Sequence, residues 1–205
     1  MDNLLHEFLS GLHQTRWYEF VAVVFGIASV WFSKKENILV YPVGLVNTIL
    51  YVFISVREHL IGEASVNLYY TIVSIYGWIL WARKDVQKKP VLHITFSTQK
   101  QMIQQLALFA FFYAVIFVSL SYLKKAFAPG ALPAADAFAS ATAFTGMWLM
   151  AKKKVESWYW WIATNIASIP LYFVKGLVFT SFYYLVLLVL AVAGLVEWIK
   201  KARTV

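Results

Sequence analysis

Asn37–Arg57 reads NILVYPVGLVNTILYVFISVR, and Val155–Lys175 reads VESWYWWIATNIASIPLYFVK. Laid over one another at an offset of 118 residues, Asn47 falls on Asn165, Val56 on Val174 and Arg57 on Lys175. The basic pairs ahead of them also coincide, Lys34 and Lys35 with Lys152 and Lys153. Further along, Gly77–Trp81 (GWILW) matches Gly194–Trp198 (GLVEW) at an offset of 117. Identities are few. What is shared is the order of apolar runs, basic turns and an amide inside an apolar run, which predicts a chain built twice over.

Composition says what surrounds the two copies. The chain has 205 residues, 61% hydrophobic and 14% charged. A soluble domain of this size cannot bury so much apolar surface, so the expected solvent is lipid. There is no cysteine, which removes disulfides, thiolate metal sites and cysteine nucleophiles. The net charge of +8 sits in short turns between apolar runs, a pattern unlike a nucleic-acid-binding face. The first 16 residues carry Asp2, His6, Glu7 and His13, so no cleavable signal peptide is expected there.

Seven spans are read, over residues 17–33, 38–56, 64–82, 102–123, 136–151, 157–174 and 177–199. Several run about 20 residues without charge, the length that crosses about 30 Å of hydrocarbon. In lipid such runs have to be helical, because the backbone must satisfy itself. Alternate loops then hold unequal charge. Of 18 basic residues, 13 fall on the side that receives Lys34, Arg83, Lys88, Lys152 and Lys200, and five on the other. The positive-inside rule predicts an external N-terminus and a cytoplasmic C-terminus.

Three spans are an odd number, so two such units joined directly would be inverted. One linking helix restores the direction. The expected fold is an all-α membrane domain over 1–205 with a 3+1+3 parallel repeat: repeat one 17–82, linker helix 102–123, repeat two 136–199. SWEET sugar transporters have this layout, and such repeats place substrate between them near mid-membrane. Transport is the function this points to.

The sharpest constellation is Trp158, Trp161 and Asn165, spaced three then four and hence on one helix face. Two indoles beside an amide suit a flat cationic ring: the faces stack and attract charge, and the amide orients. For Trp158 alone, an interfacial anchor is the commoner reason for such a residue. For Asn165 a helix–helix hydrogen bond competes evenly with a ligand contact. Asn47, Asn67 and Tyr70 are expected to line the opposite wall, together with Thr71 and Ser74, with interhelical packing an equal reading of the stripe on the third span. Arg57 and Lys175 are read as snorkelling to headgroups. No Asp, Glu, His, Lys or Arg stands near the middle of a span, and there is no phosphate loop, zinc-protease or nucleophile-elbow motif. Neither catalytic residues, cofactor, metal nor nucleic-acid partner is expected, and movement down a gradient remains.

The stretch Val155–Asn165, VESWYWWIATN, resembles the W-x-x-W-x-x-x-N signature of the Pnu vitamin transporters. Trp17-Tyr18-Glu19, Gly44-Leu45-Val46-Asn47 and Ile75-Tyr76-Gly77-Trp78 add to the resemblance, which extends from Trp17 to Trp198. It implies facilitated uptake of a dephosphorylated vitamin across the bacterial inner membrane, trapping by cytoplasmic phosphorylation, and a homotrimer. It implies substrate contacts at Trp158, Trp161 and Asn165, with Asn47 and Asn67 opposite. Nicotinamide riboside is the first expected substrate, and thiamine of the same family the alternative. Asn67 and Ala193 stand where some riboside carriers have Gln and Asn, which keeps that alternative open. A SWEET-type sugar carrier is the more distant third reading.

Overall fold

An apolar run in lipid must close its own backbone hydrogen bonds, and every one of these runs winds into a helix. The structure, a computed structural model, describes residues 17–57, 61–127 and 132–204. His6, His13, Arg16 and His59 lie outside them. The described residues form seven helices: α1 (Trp17–Lys34), α2 (Val40–Arg57), α3 (Ile61–Ala82), α4 (Gln99–Phe127), α5 (Pro133–Ala151), α6 (Ser157–Val174) and α7 (Val178–Ala202). By length and apolar content α2, Gln99–Tyr122 of α4, and α7 can each cross a membrane. Helices α3, α5 and α6 carry polar residues, but they carry them inward. Ser74, Thr142, Thr145, Thr164, Asn165 and Ser168 are buried, whereas Leu68, Ile72, Ile75 and Ile79 of α3 are exposed. That is a soluble helix turned inside out.

Helix α5 packs on α3, α4 and α6. Its sequence explains the close fit: Ala137, Ala139, Ala141, Thr142, Ala143 and Gly146 are all buried small residues that let backbones approach. Thr142 and Thr145 return their hydroxyls to carbonyls of their own helix, and Thr164 of α6 donates to Thr142 at 2.9 Å. Helix α4 packs chiefly on α5 and leaves most of its surface outward.

The C-terminal ends of α1, α3, α5 and α7 meet at one end of the bundle, with the basic turns. There two arrangements recur 117 residues apart. Tyr41 meets Trp81 edge-on at 5.2 Å, and Trp158 meets Trp198 edge-on at 5.5 Å. A Cβ on Gly77 would sit 2.5 Å from the Tyr41 ring hydroxyl, and one on Gly194 2.5 Å from the Trp158 ring. Neither glycine has room for a side chain. The indole N–H of Trp81 donates to Ala151 O at 3.2 Å and that of Trp198 to Ser33 O at 3.1 Å, so each ties its helix to the other half of the chain. The turns match too. Glu36 and Lys153 both take left-handed backbone, φ 59° and 51°, which costs a side-chain-bearing residue about 1–2 kcal/mol. Their side chains pair with each other at 2.8 Å, which offsets part of this cost. Lys201 reaches the second Glu36 oxygen at 3.2 Å, and Lys153 also donates to Leu92 O. Burial pushes the Glu36 carboxyl up, but the two lysines outweigh it and hold it below its ordinary value.

These pairs shift the expected register by one residue. A spacing of 117 sets Thr48, not Asn47, against Asn165. The polar stretch between α3 and α4 is also more than a connection. Thr95 exchanges backbone hydrogen bonds with Lys153 and Val155, and Ile94 is buried in the aromatic cluster. Glu156 accepts from both the backbone N–H and the hydroxyl of Ser97 at 2.8 Å.

Candidate functional site

Between the halves, on the inner side of this aromatic cluster, lies a cavity of about 100 Å³. Its walls include Ser29, Ser33, Tyr41 and Ser74 on one side and Met147, Met150, Trp158, Trp161 and Asn165 on the other. The walls touch where the Ser33 hydroxyl donates to the Met150 sulfur at 2.9 Å. An apolar hole of about 150 Å³ binds benzene, and ligand pockets usually measure about 300–1,000 Å³. The cavity is smaller than either.

Helix α6 delivers Trp158, Trp161 and Asn165 together, as their spacing predicts. Trp158 is not an interfacial anchor: it is 1% exposed, because Gly194 leaves space for its ring. Asn165 is 2% exposed, and its Oδ1 has no hydrogen-bond partner among the described residues. The same holds for Trp158 Nε1 beside it and for Tyr41 Oη on the facing wall. A buried polar atom left unpaired costs about 1–3 kcal/mol, and all three belong to residues that line one cavity. Between them they offer a donor (the indole N–H), an acceptor (the amide oxygen) and a hydroxyl that can be either.

The remaining expected residues lie off this wall. Asn47 donates to Ala22 O at 2.6 Å and so ties α2 to α1. Asn67 is on α3, where its carbonyl accepts from the Thr71 hydroxyl, and Thr71 also donates to Thr48. Tyr70 lies behind the cavity wall, its ring 6.3 Å from that of Trp161 and edge-on to Phe144. It supports the wall without forming it. Lys175, read as snorkelling, instead pairs with Asp136 at 2.6 Å. Sequence reasoning missed Tyr41. The available signal was Gly77 at the place matching Gly194, since a glycine facing an aromatic in both halves marks Tyr41 as the counterpart of Trp158.

The comparisons with known proteins agree with this architecture. The sequence model of the nicotinamide mononucleotide transporter family matches residues 16–200. The chain is 25% identical over 214 residues to the nicotinamide riboside transporter PnuC of Escherichia coli, covering 95% of this chain and 90% of that one. It is 24% identical to the riboflavin/roseoflavin transporter RibM of Streptomyces davaonensis, covering 91% and 86%. A crystal structure of the vitamin B3 transporter PnuC superposes with a TM-score of 0.72 at 24% identity, over 98% of this chain and 88% of the other, a likeness of fold. Matched over all but its two ends, the chain belongs to the nicotinamide mononucleotide transporter family, the PnuC-like Pnu group of bacterial membrane transporters.

Proposed function

We propose that this protein takes up nicotinamide riboside across the bacterial inner membrane by facilitated diffusion, as a uniporter, with cytoplasmic phosphorylation trapping the product. The observation that carries the reading is the cavity with two indoles and three unpaired polar atoms. A pyridinium ring suits the indoles. Its carboxamide can donate to Asn165 Oδ1 and accept from the Trp158 N–H or the Tyr41 hydroxyl, which satisfies the orphaned groups. No Lys, Arg or His stands among the lining residues, so a phosphate dianion has no partner there. That favours the riboside over the mononucleotide.

The architecture that goes with this reading has seven membrane spans in a 3+1+3 parallel repeat, with α4 as the linker and repeats over 17–82 and 136–199. The N-terminus is outside, the C-terminus is cytoplasmic, and the assembly is a trimer. The Tyr41–Gly77–Trp81 and Trp158–Gly194–Trp198 arrangements support the repeat, and the basic residues gathered at one end support the orientation. Uniport is supported by the lack of ionisable side chains at mid-span.

Calorimetric titration of purified protein with nicotinamide riboside, thiamine and riboflavin tests the substrate. The riboside is expected to bind, and Trp161→Ala and Asn165→Ala are each expected to weaken it about tenfold or more. Both variants binding as tightly as the parent would place the site elsewhere. Binding of riboflavin or thiamine in place of the riboside would keep the site and change the cargo; the likeness to RibM is what makes riboflavin an arm of the experiment.

A further inference from the structure

A second and larger cavity, about 360 Å³, lies at the basic end of the bundle between the start of α4 and the end of α5. Gln101 and Gln104 of α4, Trp148 of α5, and Lys152 and Lys154 of the following turn line it, with Leu108 toward its apolar side. The two lysines have no carboxylate within ion-pair distance among the described residues. Lys152 Nζ lies over the Trp148 ring at 4.1 Å. Lys154 donates to the Thr95 hydroxyl at 2.9 Å. The acid closest in sequence, Glu156, is already occupied by Ser97. Burial, and then the charge of Lys154, hold the Lys152 ammonium below its ordinary value. Helix α4 begins here behind a Thr98–Gln101 capping pair, so the positive end of its dipole adds to the field.

Two half-buried cations, glutamine side chains and a helix N-terminus are groups that suit an anion. What surrounds it says which anion. Helix α4 is peripheral, and Ile103 and Leu106 present an exposed apolar face just beyond the cavity. A free phosphate has no use for that face, whereas an acyl chain does. We propose that the crevice binds the phosphate of an anionic phospholipid headgroup, with the lipid's chain lying along the outer face of α4. The crevice is separate from the central cavity, and the proposal does not depend on which vitamin is carried.

The test is native mass spectrometry of the protein in neutral detergent, titrated with phosphatidylglycerol, phosphatidylcholine or inorganic phosphate. Phosphatidylglycerol is expected to bind saturably and phosphatidylcholine not to bind. Lys152→Gln is expected to weaken retention about fivefold, and adding Lys154→Gln to weaken it further, by about the same factor. Lys88→Gln, on the exposed loop at the same end, is expected to bind as the parent does. Equal retention of the two lipids, or undiminished retention by the double variant, overturns the proposal. Inorganic phosphate binding as tightly as the lipid also overturns it, and makes a free anion the occupant. Retained vitamin binding in the double variant confirms that the lysine changes leave the fold intact.

Discussion

The two walls of the central cavity come from matched places in the two halves of the chain and are chemically unlike. Ser33 stands 117 residues from Met150, Tyr41 from Trp158, Ser74 from Ala191, and Val30 from Met147, and all eight line the cavity. One half supplies hydroxyls. The other supplies thioethers, indoles and one amide. Where the same spacing joins residues outside the cavity, little has changed: Gly77 and Gly194 both seat a ring, Trp81 and Trp198 both donate to the opposite half, and Glu36 and Lys153 share a backbone twist. Positions that hold the frame together keep their residue or geometry, and positions that line the cavity diverge. An unsymmetrical ligand, flat at one end and hydroxylated at the other, is what such walls suit.

The largest expected effect comes from filling the two glycines. A methyl at either position meets a ring that cannot flex away, and overpacking of this kind costs about 1–3 kcal/mol. Both Gly77→Ala and Gly194→Ala should lower the melting temperature of the purified protein. Only Gly194→Ala pushes on an indole that lines the cavity, so on the proposed reading it should weaken vitamin binding more than Gly77→Ala does. Equal binding losses would mean that the two walls contribute alike, and would break the comparison.

How much of this was legible in the sequence depends on the signal involved. Helix boundaries fall within four residues of the expected spans, because length and apolarity dictate them in lipid. The Trp158–Trp161–Asn165 face was legible because helical spacing alone brings it together. The pairing of Asn47 with Asn165 rested on an amide-to-amide match. A helix turns by about 100° per residue, so the one-residue difference between offsets of 118 and 117 moves a side chain to another face. Thr48 against Asn165 is the match that the packing supports. Tyr41 was hidden because its significance depends on Gly77, 36 residues away. The anchoring of Ile94 and Thr95 beneath the bundle has no periodic signature at all.

A smaller effect is expected at the hydroxyl wall, and it separates binding from stability. Tyr41→Phe keeps the edge-on contact with Trp81 and removes only the unpaired Oη. Without ligand the variant should be as stable as the parent or slightly more so, since a buried unpaired hydroxyl is lost. With ligand it should bind about 2–12-fold more weakly, the usual worth of one hydrogen bond, about 0.5–1.5 kcal/mol. Thr48→Ala is the matched control, since Thr48 corresponds to Asn165 but stands off the cavity wall; it should leave binding unchanged. A Tyr41→Phe variant that binds normally would show that the hydroxyl wall does not face the ligand.

The smallest expected effect concerns the turns, where the matched residues carry opposite charge. Lys153 is nearly enclosed, its side chain 5% exposed, whereas Glu36 is 26% exposed and shared with Lys201. The folded Glu36 carboxyl lies below its ordinary value of 4.5. A depressed carboxylate contributes stability that is complete above the unfolded value and is lost as pH falls through the folded one. The melting temperature of the parent should therefore fall as the pH drops below 4.5. Glu36→Gln keeps a hydrogen-bond acceptor for Lys153 but has no charge to lose, so its acid limb should be shallower. The difference between the two curves should be at most about 1 kcal/mol, since Glu36 and Lys201 are partly solvated. If parent and variant lose stability along the same acid limb, the cross-turn pair is not what holds the two left-handed residues in place, and the strain at Glu36 and Lys153 must be offset by the helices on either side.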